Sequence, residues 1–295
     1  MEVQKQEIRQ LCSKFMLTGM GAGLEGIVND AEKNGISFME FALRLLKSEV
    51  EHRQQKDEAK RMKAAGLPRS SDLEHYDPEI NGLRTERLAQ LRELNWMDQL
   101  FNMVLMGPSG TGKTHLAAGL CRDAVKAGYK AYFRSMDEII NTLRTKDFVK
   151  SQMLEYNRLA KANMLVLDDI MLFPLEKNMA VAFFNFINHI YESTSIVVTT
   201  NKKPTEWAKM LEDEVIATAL LDRLLFKCEV VNLTGDSFRL QNRQTFLNRK
   251  NINLLLKRTL YLLVTFSLHH SCQKYCNPNY QKLCILYYRL QLFYI

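Results

Sequence analysis

The sequence predicts an α/β domain on a parallel five-stranded sheet, preceded by a small all-α region. Two observations carry this expectation. Short apolar runs, NMVLMG at 102–107, KAYFRS at 130–135, MLVLDDI at 164–170, SIVVTTN at 195–201 and CEVVNL at 228–233, alternate with segments of helical patterning. Such runs suit strands buried on both faces, as in a parallel sheet covered by helices on each side. Ahead of them, apolar residues recur at helical spacing, as at Ile8, Leu11 and Phe15 and again at Phe38, Phe41 and Leu45.

Taken in order, residues 1–66 form the helical region, with Gly19, Gly21, Gly23 and Gly35 expected to mark turns. Ser37, with Glu40 three residues on, fits a capping box that opens a helix running through Arg53 and Lys60. Eight basic and four acidic residues lie between Arg44 and Arg69, a pattern open to two readings: a solvated helix face or a phosphate-backbone contact. Residues 67–100 form a connector, in which Pro68, Ser70, Ser71 and Pro78 break helix before an amphipathic stretch at about 83–96. Residues 101–250 hold the sheet, and 251–295 form a compositionally distinct tail.

Composition narrows the class. The chain has 295 residues, 46% of them hydrophobic and 25% charged, which describes a globular protein rather than a disordered or fibrous one. No apolar stretch reaches the roughly 18–20 residues of a membrane span, and Glu2, Lys5, Glu7 and Arg9 rule out a signal-peptide start, so a cytoplasmic protein without a membrane partner is expected. The six cysteines show no paired zinc spacing and no disulfide framework and are expected as reduced thiols. The formal net charge is +7, but the tail carries five basic residues and no acid, so the first 250 residues hold 35 basic against 33 acidic side chains. Net charge alone therefore says little about nucleic acid.

The string Gly107-Pro108-Ser109-Gly110-Thr111-Gly112-Lys113-Thr114 fits G-x-x-x-x-G-K-[ST], with a strand before it and a good helix, THLAAGLCRDAVKAG, after it. The glycines let backbone N–H groups, continuing to His115, point at phosphate, and the helix dipole favours the negative charge. Lys113 is placed to reach the β- and γ-phosphates of ATP, and Thr114 to hold Mg²⁺. In MLVLDDI, Asp168 and Asp169 stand at the carboxyl edge of a strand, where open α/β sheets bind ligands. Asp168 suits the metal shell, and Asp169 suits orienting or deprotonating the attacking water; helix capping is the competing explanation for both. Asn201 ends the next apolar run and suits a γ-phosphate sensor, or else closes a turn before Pro204. Arg223 and Arg239 are the candidate guanidinium groups for the γ-phosphate, from the same chain or a neighbouring subunit, each of which could instead be a surface ion pair.

In this order, LMGPSGTGKTHLAAGL, LVLDDI, VVTTNKKPTEWAKML, ALLDRLL and GDSFR resemble the IstB-like ATP-binding proteins, insertion-sequence helper ATPases related to DnaC-type helicase loaders. LEGIVNDAEKNGISFMEFALRLLKSEVEHRQQK and the connector resemble the same family, so the likeness covers roughly 5–247. It implies an AAA+ fold, ATP bound between subunits of a homo-oligomer, and double-stranded DNA carried by that assembly to a cognate transposase. Matched residue by residue, it makes Lys113 and Thr114 the Walker A pair and Asp168 and Asp169 the Walker B pair. It further makes Asn201 sensor 1, Arg223 an arginine finger acting in trans, and Arg239 sensor 2. The wider AAA+ pattern has Glu where this chain has Asp169; the shorter side chain implies slow, partner-stimulated hydrolysis.

Two other functions fit the phosphate loop. A DnaC-like loader would carry a different partner-binding segment at its N-terminus, and a small-molecule kinase would need an acceptor pocket and basic lid that the sequence does not supply. Candidates for DNA contact are Arg53, Lys56, Lys60 and Arg61. The tail resembles nothing in the family; Cys272, Cys276 and Cys284 with His269 and His270 match no standard metal spacing, and a poorly ordered product of an altered reading frame is expected there.

Overall fold

The computed structural model of the protein describes residues 2–74, 76–170, 174–203, 206–207, 211, 213–235 and 237–238. Arg239 and the tail lie outside them. The described residues all belong to one compact unit.

Three helices lead the chain: α1 (Glu2–Lys14), α2 (Thr18–Asn34) and α3 (Phe38–Ala65). Gly19, Gly21 and Gly23 do not mark turns; they lie within α2. Glycine is locally unfavourable in a helix, but a Cβ on Gly19 would stand 2.5 Å from His52 Cβ and 2.7 Å from Ser48 O of α3. The glycine therefore lets the two helices approach. Gly35 does end α2 in the left-handed conformation. At the start of α3 only half of the expected capping box forms. Ser37 Oγ accepts the Glu40 N–H at 3.2 Å, while the Glu40 carboxylate accepts from Arg44 Nε at 2.8 Å.

Glu49 of α3 is buried and accepts the backbone N–H groups of Gly19 and Met20 at 2.7 and 3.0 Å, satisfying donors at the start of α2. The Arg53 guanidinium, 2.6 Å away, is the main reason its carboxyl is held below the ordinary range. Outside this seam the helices are less apolar-in than their spacing implies: Ile8, Leu11 and Phe15 are exposed, as are Met39, Leu43, Leu46 and Val50. The last turn of α3 joins the next layer, where Arg134 donates to the Ala64 and Ala65 carbonyls and pairs with Glu155 at 2.5 Å. The expected boundary at residue 66 is therefore a packed junction.

After a 3₁₀ turn at Glu79–Asn81, the expected amphipathic stretch forms two helices, α4 (Thr85–Arg92) and the short α5 (Asn95–Asp98), separated at Leu94 by a left-handed residue. The sheet consists of β1 (Asn102–Met106), β2 (Ala131–Ser135), β3 (Met164–Asp168), β4 (Ser195–Thr200) and β5 (Cys228–Asn232), each within the run that predicts it. All pairings are parallel and the order is β2-β3-β4-β1-β5. Helices α6 (Lys113–Lys126), α7 (Met136–Thr145), α8 (Lys150–Leu159), α9 (Lys177–Ile190) and α10 (Glu214–Leu225) supply the connections.

Two apolar cores result. One packs β3 and β4 side chains such as Leu165, Leu167 and Ile196 with Phe183, Ile187 and Leu220. The other packs Met103, Leu105 and Val166 with Leu116, Leu120 and the connector's Leu73 and Leu88. Among the described residues, no helix is long and apolar enough to cross a membrane. Cys12, Cys121 and Cys228 are free thiols, as expected.

Asn102 fixes the amino edge. Its buried amide donates to the Leu224 carbonyl at 3.1 Å and accepts the Ile196 N–H at 2.9 Å, tying β1 to β4 and α10. Asn102→Leu orphans both partners in the interior, so unfolding in denaturant should show a loss of about 2–4 kcal/mol. A loss below about 0.5 kcal/mol would mean that this tie is not needed.

Candidate functional site

β1 ends in the glycine-rich loop, and α6 begins at Lys113 immediately after it. The loop is backed so closely that side chains are excluded. A Cβ on Gly107 would stand 2.2 Å from the Leu233 carbonyl oxygen, and one on Gly110, at φ 87°, 2.0 Å from Ser237 Oγ. Gly112, also left-handed, is the residue from which α6 springs. Lys113 is buried, and its ammonium donates to the Gly107 and Pro108 carbonyls at 2.9 and 2.8 Å. The cation is thereby held inside the curve of the loop, where phosphate oxygens would compete for it. Thr111 Oγ1 donates to Pro108 O at 2.9 Å and stiffens the same turn.

His115 turns its ring away. Its Nε2 lies 2.8 Å from the Asp72 carbonyl oxygen of the connector, and the ring meets Tyr76 edge-on at 5.3 Å. Only its backbone N–H is left to serve a nucleotide. The connector closes over the loop from this side: Asn81 donates to Tyr76 Oη at 3.1 Å, and its carbonyl accepts the Thr234 N–H at 2.9 Å. Sequence reasoning missed this contribution, because a Tyr and an Asn in a polar connector carry no pattern of their own.

β3 delivers the two acids into different surroundings. Asp168 is buried and Asp169 exposed. Burial pushes the Asp168 carboxyl above the ordinary range; the Thr199 hydroxyl opposes this, the neighbouring Asp169 charge adds to it, and Thr114 and Lys113 oppose it. A desolvated carboxylate with a threonine hydroxyl beside it is an oxygen donor pair suited to a divalent cation. The residues thus fit Mg²⁺, with Thr114 and Asp168 as the groups that would hold it. Asp169 occupies a left-handed conformation, φ 55°, and lines a 260 Å³ cleft together with Ser135, Asp137, Arg144 and Glu176.

Asn201 follows the last residue of β4 and is exposed. Because Met106 pairs with Thr200, continuing the register sets Asn201 beside Gly107, at the edge where the loop starts. Arg223 is not at this edge. It lies near the C-terminal end of α10, where Asn102 Nδ2 reaches its carbonyl at 3.4 Å, on the amino side of the sheet. The five residues of β1 set it about 16 Å from the loop. Its Nε donates to Asn188 Oδ1 at 2.8 Å, and the guanidinium lies over Phe184 and Tyr191, 4.8 and 5.6 Å from the ring centroids. Arg239 falls outside the described residues, although its neighbour Phe238 donates its N–H to Gly110 O at 3.1 Å.

The family model for IstB-like ATP binding proteins matches residues 10–245. The chain belongs to that family. A protein of Bacteroides fragilis named as an IS21-like insertion-sequence ATP-binding protein is 40% identical over 251 residues, 85% of this chain and 95% of its own length. The IS21 counterpart from Pseudomonas aeruginosa is 33% identical, covering 81% of this chain and 90% of its own. Among solved structures, the DnaC helicase loader aligns at TM-score 0.47 and 21% identity over 56% of this chain and 97% of that one. The chain thus belongs to a family described as ATP-binding, and its own fold is an α/β domain on a parallel five-stranded sheet.

Gly107→Ala tests the close backing of the glycine-rich loop. Even ~1.4 kcal/mol of displacement is a tenfold loss of affinity, so titration with a fluorescent ATP analogue should show binding at least that much weaker. Wild-type affinity in the variant would mean the loop tolerates the side chain.

Proposed function

We propose that this protein is a helper ATPase of transposition. With ATP and Mg²⁺ it assembles as a homo-oligomer on double-stranded DNA, and a cognate transposase recruited there stimulates hydrolysis. The observation that carries the reading is the division of the site. The phosphate loop, Asp168, Asp169 and Asn201 share the carboxyl edge, while Arg223 is held on the opposite edge by its own chain. Arg223 so placed would serve the γ-phosphate of a neighbouring subunit, which would make hydrolysis conditional on assembly.

In this account Lys113 and the loop amides hold the β- and γ-phosphates, and Asp169 orients the water that attacks the γ-phosphorus. The bond from that phosphorus to the β–γ bridging oxygen breaks, and ADP and phosphate leave. Bound Mg²⁺ would neutralise charge on the phosphates. Asp169 has one methylene less reach than Glu, so basal turnover is slow until a partner sets the water. The DNA surface is assigned more broadly. Within α3, Arg53 is engaged by Glu49 and Lys60 by Asp57, yet both side chains remain more than half exposed. With Lys56 they offer phosphate contacts without base reading, and binding should fall steeply with salt.

Arg223→Ala should lower DNA- and transposase-stimulated hydrolysis by roughly 10³-fold while ATP binding is retained. Mixing it with an Asp169→Asn variant should restore part of the activity, since a shared site then pairs one intact Asp169 with one intact Arg223. No restoration on mixing would contradict a trans finger. Electron microscopy should show assemblies on duplex DNA with ATP and none with ADP; a nucleotide-indifferent monomer on DNA would overturn the switch.

A further inference from the structure

Thr199 lies in the apolar run of β4, completely buried and uncharged, and has figured so far only as a hydroxyl beside the Asp168 carboxyl. Its contacts nevertheless converge on the two acids. The last ladder pair between β3 and β4 is Leu167 with Val198, so Thr199 stands opposite Asp168 as the pairing ends. Its Oγ1 donates to Asp168 Oδ1 at 2.5 Å and accepts the Asp169 backbone N–H at 2.8 Å. Its backbone carbonyl then accepts the Ile170 N–H at 3.0 Å. One residue thus holds three consecutive residues of the neighbouring chain segment.

The consequence is conformational. Asp169 is left-handed, a backbone state that costs energy for any residue with a side chain and persists where surroundings over-determine it. The hydroxyl supplies that constraint on the amide side, and the Thr199 carbonyl supplies it one residue later. Because Thr is β-branched, its χ1 is stiff and the hydroxyl has little freedom to swing away. The same oxygen fixes which way the Asp168 carboxylate faces. The backbone reversal that follows is what separates a buried acid from an exposed one.

We infer that Thr199 is a positioning residue for ATP hydrolysis, setting the Asp168 carboxylate and the Asp169 backbone through its one hydroxyl. This rests on the ATPase reading proposed above. Thr199 is completely buried and acts through the acids it bonds. Its removal should therefore fall on the chemical step, while nucleotide binding, carried by the loop and Lys113, stays intact.

The test compares the full-length protein with Thr199→Val, which keeps the branched shape without the hydroxyl, and Thr199→Ser, which keeps the hydroxyl. ATP hydrolysis is followed with duplex DNA and transposase present, and binding is followed separately with a fluorescent ATP analogue. Expected is a fall in kcat of about 10–100-fold in Thr199→Val with ATP affinity within about threefold, and Thr199→Ser within about threefold of the unaltered protein. Full activity in Thr199→Val would overturn the inference. So would equal losses in both variants, or a loss confined to ATP affinity, since either would mark a packing role. A thermal melt of each variant identifies unfolding, and folded Thr199→Ser with full kcat beside inactive Thr199→Val supports the hydroxyl even if the valine variant is less stable. If the unaltered protein hydrolyses no ATP under these conditions, the proposed function fails and this inference falls with it.

Discussion

The structure depends on the register in which β1, β4 and β3 lie side by side. Parallel strands that start together also end together, and here the ends are β1 at Met106, β4 at Thr200 and β3 at Asp168. A glycine loop, an amide and two carboxylates, far apart in sequence, arrive at one edge without any of them reaching far. Asn102 maintains the arrangement from the other end, where its side chain joins the first residues of β1 to β4 and α10. The site is thus a property of the sheet, and the loops only finish it.

The same register separates Arg223 from the phosphate loop by about the length of a strand. Its packing on Phe184, Tyr191 and Asn188 gives it a defined position on the surface of α9 and α10. An arginine held there lies away from the phosphate loop of its own chain. In the proposed switch, ATP bound by one chain would receive the Arg223 guanidinium of the next. The N-terminal helices are linked to the same sheet through Arg134, which grips the end of α3 from β2, the strand next to the one that carries the acids.

Much of this was legible in the sequence, because buried parallel strands are written as short apolar runs and a phosphate loop demands glycine at fixed places. All five strands fall inside their predicted runs for that reason. What was not legible depends on contacts between distant residues. Gly19, Gly21 and Gly23 look like turn formers locally, and only the approach of α3 explains Gly19 within a helix. Glu40 has the spacing of a capping box, but Arg44 takes its carboxylate. Thr199 reads as one more β-branched strand residue, and its bearing on Asp168 and Asp169 exists only once β3 and β4 are neighbours. Tyr76 and Asn81 are anonymous until the connector closes on the loop.

The proposed Mg²⁺–ATP site is the shared edge of β1, β3 and β4. The most direct measurement is a crystal structure of the protein with Mg²⁺ and a non-hydrolysable ATP analogue. Expected are phosphates within the loop from Gly107 to Thr114, Lys113 released from the Gly107 and Pro108 carbonyls onto phosphate oxygens, and the metal held by Thr114 and Asp168. A nucleotide bound elsewhere, or phosphates in the loop with Lys113 still on its carbonyls and no metal near Asp168, would contradict it.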